Sequence, residues 1–227
     1  MTARGIFVTG TDTGVGKTVA SCALICALRS RGLHVFPFKP IAAGARLDAG
    51  RWANEDTRLL ADAAGLGDEA LELITPVLLR EPLAPHIAAA REGRALALEP
   101  VRAAFDRISG DGAFIVAEGV GGFRVPLDRS LDTVDLARAL GLPVVLVVGM
   151  RLGCLNHALL SRDGIAAAGL ALAGWIANTI DPRMAALEEN VAALDERLGA
   201  PRVGRLPHEP NATPASLARH LDVSSLA

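Results

Sequence analysis

Residues 9–18 read TGTDTGVGKT; they follow the apolar run Ile6-Phe7-Val8 and open into Val19-Ala20-Ser21-Cys22-Ala23-Leu24. A glycine-rich turn where a strand feeds a helix brings free backbone N–H groups and the positive helix terminus to one spot, which makes an anion site. Glycine lets the backbone approach phosphate oxygens with no Cβ in the way. Lys17 then reaches the β- and γ-phosphates, and the Thr18 hydroxyl suits a Mg²⁺ ion. The common spacing G-x-x-x-x-G-K-[ST] would put its first glycine at position 11, which is Thr; Gly10 stands one residue early. An ordinary glycine-rich turn explains the glycines but not Gly-Lys-Thr opening a helix. The expectation is therefore a shifted phosphate loop.

The rest of the chain alternates in the manner that such a loop requires. Short apolar runs at 5–8, 34–38, 113–117, 144–148, 171–177 and 203–206 read as strands, and the stretches near 17–31, 54–65, 98–109, 133–141, 154–168 and 183–198 read as helices. The runs are rich in Val, Ile and Leu with little alternation, as expected of strands covered on both faces. Strand–helix alternation implies a parallel sheet with right-handed crossovers. The expected fold is a single α/β domain over 1–227, a P-loop-type, Rossmann-like sheet with helices on both faces. Gly32, Gly110, Gly141, Gly169 and Gly199 fall near helix ends, where a left-handed residue is commonly needed. Segments 40–53 and 75–97 read as irregular, and 207–217 is rich in Pro and small residues. Aromatics are 4% of the chain and Tyr is absent, so Ala, Leu and Val must fill the core.

Composition removes several function classes. A formal net charge of −2 supplies no basic field for nucleic acid or anionic lipid. The first residues, MTARG, carry one basic residue and lead only to a short strand-like run, unlike a signal peptide. The longest apolar runs, such as 143–148, fall far short of a membrane span. Three cysteines, an odd number, fit a reducing cytoplasm. Cys22 and Cys26 lie one helical turn apart on the face that carries Val19 and Ala23, which favours core packing over metal or redox chemistry.

Three further segments end strands at the places where a parallel sheet delivers ligand-binding groups. FKPIAAG puts Lys39 directly after a strand, NEDTRLL puts Asp56 at a helix start, and VAEGVGG ends a strand on Glu118 before a glycine-rich turn. Taken singly, Asp56 reads as a helix cap and Lys39 as a solvated side chain. Glu118 is different, because an acid after Ala113-Phe114-Ile115-Val116-Ala117 stays beside an apolar sheet end. Jointly they suit phosphoryl transfer, which needs placed cations and metal-holding carboxylates more than covalent chemistry. His86 and His157 lack partners at metal spacing and read as packing or hydrogen-bonding residues. Asp132 and Asp135 read as a cap and a dipole partner; Arg124 stays open between a phosphate contact and a solvated surface residue.

With these segments in hand the chain resembles the dethiobiotin synthetase family along nearly its whole length: FVTGTDTGVGKTVAS, FKPIAAG, NEDTRLL, APHIAA, VAEGVGGFRVPL, PVVLVVGMRLGCLNHALL and LAGWIAN. The resemblance implies a homodimer that binds ATP and Mg²⁺ and closes the ureido ring of dethiobiotin from 7,8-diaminononanoate and CO₂ or bicarbonate. It implies that Gly14, Val15, Gly16, Lys17 and Thr18, with Val19 following, cradle the phosphates, and that Thr18, Asp56 and Glu118 hold the metal. Lys17, Lys39 and Thr13 would serve the carbamate and γ-phosphoryl. Gly119, Val120 and Gly121 would line the nucleotide side, and Asn178, Thr179, Leu206 and Pro207 the base. Residues 151–157 would reach the partner subunit's substrate. The chain departs from the family pattern at Gly14, where many members carry an acid, at Ala43 in place of Ser or Thr, and at Thr179 in place of an acid. Two other readings are a nucleotide-switched ATPase of the partition kind and a cobyrinate-type amide ligase. The first expects a second lysine in the loop, where this chain has Asp12; the second expects a glutamine-using domain.

Overall fold

The computed structural model describes residues 4–48 and 50–227. Residues 1–3 of the expected non-signal N-terminus and Ala49, within the segment expected to be irregular, lie outside the described residues. In chain order the elements are β1 (Gly5–Gly10), α1 (Lys17–Ser30), β2 (Val35–Phe38), β3 (Ile41–Ala43), β4 (Arg46–Asp48), β5 (Arg51–Ala53), α2 (Glu55–Ala64), α3 (Leu71–Ile74) and β6 (Val77–Leu79). There follow α4 (Pro85–Arg91), α5 (Leu98–Ser109), β7 (Phe114–Gly122), α6 (Thr133–Leu140), β8 (Val144–Gly149), α7 (Cys154–Ala167), β9 (Leu172–Asn178), α8 (Leu187–Arg197), β10 (Arg202–Leu206) and α9 (Pro214–Ala218). Each of the six strands and six helices expected from the apolar pattern is present, within a few residues of its expected ends.

Six strands form one sheet in the order β10-β9-β8-β1-β7-β2, and every pairing in it is parallel. The chain explains its own burial. Along β1, Ile6 and Val8 point to the layer of α1, α2 and α9, while Phe7 points to the opposite layer with α5 and α6. Along β8, Val145 and Val147 join the first layer, and Leu146 and Val148 pack under α7 and α8 with Trp175. Both faces of β1 and β8 are dry, which is why their runs lack alternation. Each buried Val, Leu, Ile or Phe side chain contributes about 1.5–3 kcal/mol. Phe38 and Phe105 meet at a ring separation of 5.7 Å, anchoring the end of β2 on α5.

The segments expected to be irregular carry short elements instead. Residues 41–43 pair in parallel with 77–79, and 46–48 form a hairpin with 51–53. Three-residue strands lie below the length at which apolar periodicity can be read. Among the helix-end glycines, Gly32, Gly141, Gly169 and Gly199 have positive φ, but Gly110 does not: its φ is −67°, and the left-handed turn falls two residues later at Gly112. Asp132 and Asp135 form a reciprocal capping box on α6, as expected. Cys22 is buried and Cys26 half-buried against α2, both as free thiols, and burial pushes both thiols up, away from the thiolate. Among the described residues no helix is long and apolar enough to cross a membrane.

Candidate active site

Strand β1 lies between β7 and β8, so the loop after it opens where the chain's direction of travel across the sheet reverses. This is the crevice in which α/β sheets bind ligands. Residues 11–16 wrap the start of α1, whose N-cap is Gly16 at φ 81° with no capping side chain and no acid in the first turn. The helix therefore presents unsatisfied N–H groups and its positive end to the cavity. Gly16 is required twice: its backbone is left-handed, and a Cβ there would stand 2.1 Å from Asn178 Nδ2. Asn178, at the end of β9, donates from Nδ2 to the Val15 carbonyl at 2.8 Å and ties the loop to the sheet. Val15 itself is buried beneath the loop, so it contributes backbone rather than side chain.

A cavity of about 870 Å³ opens in front of this loop. Its walls include Thr13, Gly14, Gly16, Lys17, Thr18 and Val19 from the loop and α1. Lys39 follows β2, Asp56 sits in the first turn of α2, and Glu118, Val120 and Gly121 come from β7; all five line the same cavity. Lys39 Nζ lies 2.5 Å from Glu118 Oε1 and 2.9 Å from Asp56 Oδ2. Thr18 Oγ1 donates to the same Glu118 oxygen at 2.9 Å, while Glu118 Oε2 is buried without a hydrogen-bond partner. Four polar side chains from four separate stretches of sequence thus meet at one point.

Electrostatics distinguish the two lysines. Burial alone would pull the Lys39 ammonium down, but Glu118 and Asp56 outweigh it and hold its pKa above the ordinary value. Lys17 is pulled below its ordinary value, chiefly by burial and further by Lys39, against the opposing pull of Glu118. Asp12 is held below the usual carboxylate value by the Thr13 N–H and, against a small burial effect, by Arg151. Lys17 Nζ also reaches the Asp12 carbonyl at 3.3 Å.

The remaining candidates fall on the other side of the loop or outside it. Asn178 and Thr179 are buried at the end of β9, Thr179 N–H donates to the Leu206 carbonyl, and the Thr179 hydroxyl has no partner. Leu206 is buried, Pro207 is half-buried, and neither borders the 870 Å³ cavity. Gly119 lies within β7 against Phe7, behind the cavity wall. Arg124 pairs with Asp132 rather than facing the loop. His86 Nδ1 is 3.2 Å from the Pro126 carbonyl, a structural contact.

Sequence reasoning missed three supports. Asn54, not Asp56, caps α2: its Oδ1 accepts from Asp56 N at 3.0 Å, and its Nδ2 donates to the Ala43 carbonyl at 2.9 Å. An Asn before an acidic first turn is the cap signal that identifies it. Residues 82–85 form one cavity wall, marked in sequence by Pro82 and by Pro85 at the start of α4. Arg151 and Asp12 pair at 2.5 Å, a contact between residues 139 apart in sequence that no local pattern announces.

A family model described as an AAA domain matches residues 4–216. The chain is 51% identical over 218 residues to the ATP-dependent dethiobiotin synthetase BioD of Aromatoleum aromaticum, covering 96% of each. It is 50% identical over 222 residues to the ATP-dependent dethiobiotin synthetase BioD of Xylella fastidiosa, covering 97% of this chain and 98% of the relative. The chain belongs to the ATP-dependent dethiobiotin synthetases. It is accordingly a ligase of biotin biosynthesis. Among solved structures it is similar to a ParA family ATPase from Chlorobium tepidum, at TM-score 0.56 and 17% identity, covering 100% of this chain and 95% of that one. The MinD cell division protein of Aquifex aeolicus gives TM-score 0.54 at 15% identity, covering 97% and 88%. These likenesses establish the P-loop fold and nothing more. Within that fold this dethiobiotin synthetase family member carries Asp12, bound to Arg151, where the partition reading requires a lysine.

The oxygen-only set of Thr18, Asp56 and Glu118 matches the hard-ligand preference of Mg²⁺. The buried Glu118 Oε2 has no hydrogen-bond partner, an unmet demand that a cation at this point would satisfy.

Proposed function

We propose that this chain converts 7,8-diaminononanoate, CO₂ (drawn from bicarbonate) and ATP to dethiobiotin, ADP and phosphate, with Mg²⁺ as the cofactor. The observation that carries the reading is the meeting of Lys39, Thr18, Asp56 and Glu118 beside the phosphate loop, in the cavity that Lys17 also lines. In the first step CO₂ adds to one neutral amine and gives a carbamate. A carbamate oxygen then attacks the γ-phosphorus, forming a carbamic–phosphoric anhydride and releasing ADP. The second amine attacks the carbonyl carbon, the ring closes, and phosphate leaves. Negative charge gathers at one place in these steps, and positive groups fixed beforehand at that place lower the barrier.

The backbone of 14–18 and the end of α1 receive the phosphates, and Lys17 serves the γ-phosphoryl. Lys39 faces the carbamate and the transferred group, with Thr13 on the same wall. Thr18, Asp56 and Glu118 hold the Mg²⁺, which supplies charge neutralisation at the phosphates when bound. Gly119, Val120 and Gly121 border the nucleotide, and Asn178, Thr179, Leu206 and Pro207 receive the base. The enzyme works in the cytoplasm as a homodimer, without nucleic acid or membrane partners, and residues 151–157 reach the partner subunit's substrate. Leu152, 96% exposed at the start of α7, supports a covered position for that turn. The test is incubation with the diamine, bicarbonate and MgATP, followed by product mass and phosphate release. Phosphate release no greater than in the diamine-free control defeats the reading.

A further inference from the structure

The chain has only two lysines among its 23 basic residues, Lys17 and Lys39. Both are buried, and both line the same cavity. Arginine elsewhere and lysine here is a chemical choice. A guanidinium is a planar fork held by its partners, whereas an ammonium is a compact point charge on a flexible stem that can change partners.

Lys39 already has partners, and they are the wrong ones for a group meant to serve a phosphoryl. Its ammonium bridges Glu118 Oε1 at 2.5 Å and Asp56 Oδ2 at 2.9 Å, and Thr18 Oγ1 donates to that same Glu118 oxygen. These three residues are the set assigned to the divalent ion. Two carboxylates and one ammonium sum to −1, and the Lys17 ammonium on the same cavity wall brings the total to zero with Lys39 in place. A divalent ion on the same oxygens would meet the like charge of Lys39, with Lys17 nearby as a further cation. One cation must yield, and the ammonium is the one on a hinged arm. The way out is open on the Asp56 side, where the side chain is 42% exposed, while Glu118 is fully enclosed.

We propose that Lys39 is the resident counter-ion of the Asp56–Glu118 pair and is exchanged for the divalent ion that arrives with the nucleotide, the exchange turning its ammonium toward the transferred phosphoryl. The inference rests on the metal assignment made under the proposed function. It gives Lys39 two positions: a holding position, in which it keeps two acids compatible with a dry pocket, and a working position available only after metal–nucleotide loading. A charge held on the carboxylates is withheld from other anions until that moment.

The first test is Mn²⁺ binding to the nucleotide-free protein, followed by electron paramagnetic resonance. Lys39→Met keeps the length of the stem and removes its charge, leaving the carboxylates uncompensated. Because losing one partner of a buried pair leaves a costly bare charge, this variant is expected to bind Mn²⁺ at least about ten-fold more tightly than the unmodified protein. Unchanged or weaker binding overturns the exchange. The second test needs no altered fold. With lysine labelled by ¹⁵N, the unmodified protein has two side-chain ammonium groups, assigned with Lys17→Met and Lys39→Met. MgADP should shift the Lys39 signal, and ADP with a chelator should leave it in place. A signal that MgADP leaves unmoved, or that metal-free ADP moves equally, overturns the exchange. Asp56→Asn and Glu118→Gln separate the two levels of the argument. If both bind Mn²⁺–ADP as well as the unmodified protein, the metal assignment fails and the exchange fails with it. If both lose Mn²⁺–ADP while Lys39 stays put, the exchange alone is wrong.

Discussion

Arg151 and Asp12 meet at 2.5 Å, joining the turn after β8 to the middle of the phosphate loop. Asp12 Oδ1 at the same time accepts from the Thr13 N–H at 2.7 Å, so one carboxylate both shapes the loop and anchors it. Both side chains are more than a third exposed, and an exposed pair adds little to global stability. Its effect is local, on the loop that must hold phosphate.

Arg151→Ala is therefore expected to leave thermal stability nearly unchanged while weakening ATP binding several-fold, with the defect shrinking in high salt. Calorimetric titration with ATP at two salt concentrations checks this. The acid side of the pair has a defined pH window. The pKa of Asp12 is lowered on folding, so its contribution is fully present above the ordinary value of 3.8 and is lost as pH falls through the lowered value. The stability difference between the unmodified protein and Asp12→Asn should be flat from neutral pH down to about 4 and vanish below it.

Lys39→Ala should reduce turnover by at least about 100-fold while nucleotide binding survives, because Lys39 follows β2 rather than belonging to the phosphate loop and meets Asp56 and Glu118 instead of the loop backbone. Single-turnover phosphate release and ADP titration measure the two separately. Equal loss of both would move Lys39 to the nucleotide side.

The two carboxylates should differ in what they do for the fold. Glu118 is fully buried, and breaking a buried pair costs about 3–5 kcal/mol. Glu118→Gln is expected to cost about 3 kcal/mol, a fall in Tm of roughly 6–12 °C for a chain of this size. Asp56 is 42% exposed, and Asp56→Asn should cost less than about 1 kcal/mol while still impairing Mg²⁺-dependent activity. The Lys39 ammonium, its pKa raised, contributes stability that is complete below its ordinary 10.5 and is lost as pH rises through the raised value. Thermal melts of both variants, and of the unmodified protein toward alkaline pH, test this ordering.

Gly16→Ala should abolish nucleotide binding, because its Cβ would collide with the Asn178 amide and the residue would be held at positive φ. Asn178→Ala alone frees the Val15 carbonyl and should weaken ATP binding about ten-fold. The double variant removes the collision but keeps the backbone cost. It should bind ATP better than Gly16→Ala alone, a non-additivity that a double-mutant cycle reads directly. Strict additivity would mean that Asn178 does not set the shape of the loop.

Much of this architecture was written locally. Runs such as Val144-Val145-Leu146-Val147-Val148, buried on both sides, left no reading but parallel strands between helices, and Gly-Lys-Thr after β1 located the phosphate loop. The small strands 41–43 and 77–79 were not legible, since three residues carry no period and their pairing partner lies 36 residues away. Nor was the shift from Gly110 to Gly112, because one residue more or less in a turn leaves the helix pattern unchanged. Taken alone, Asp56 looked like a cap and Lys39 like a solvated cation. Their chain positions determined that each would stand at the end of a strand or the start of a helix. Only the packing of β2, α2 and β7 side by side decided that Lys39, Asp56 and Glu118 would neutralise one another within 3 Å. Charges separated by up to 79 residues of sequence interact through space, and that separation in space is set by the sheet order.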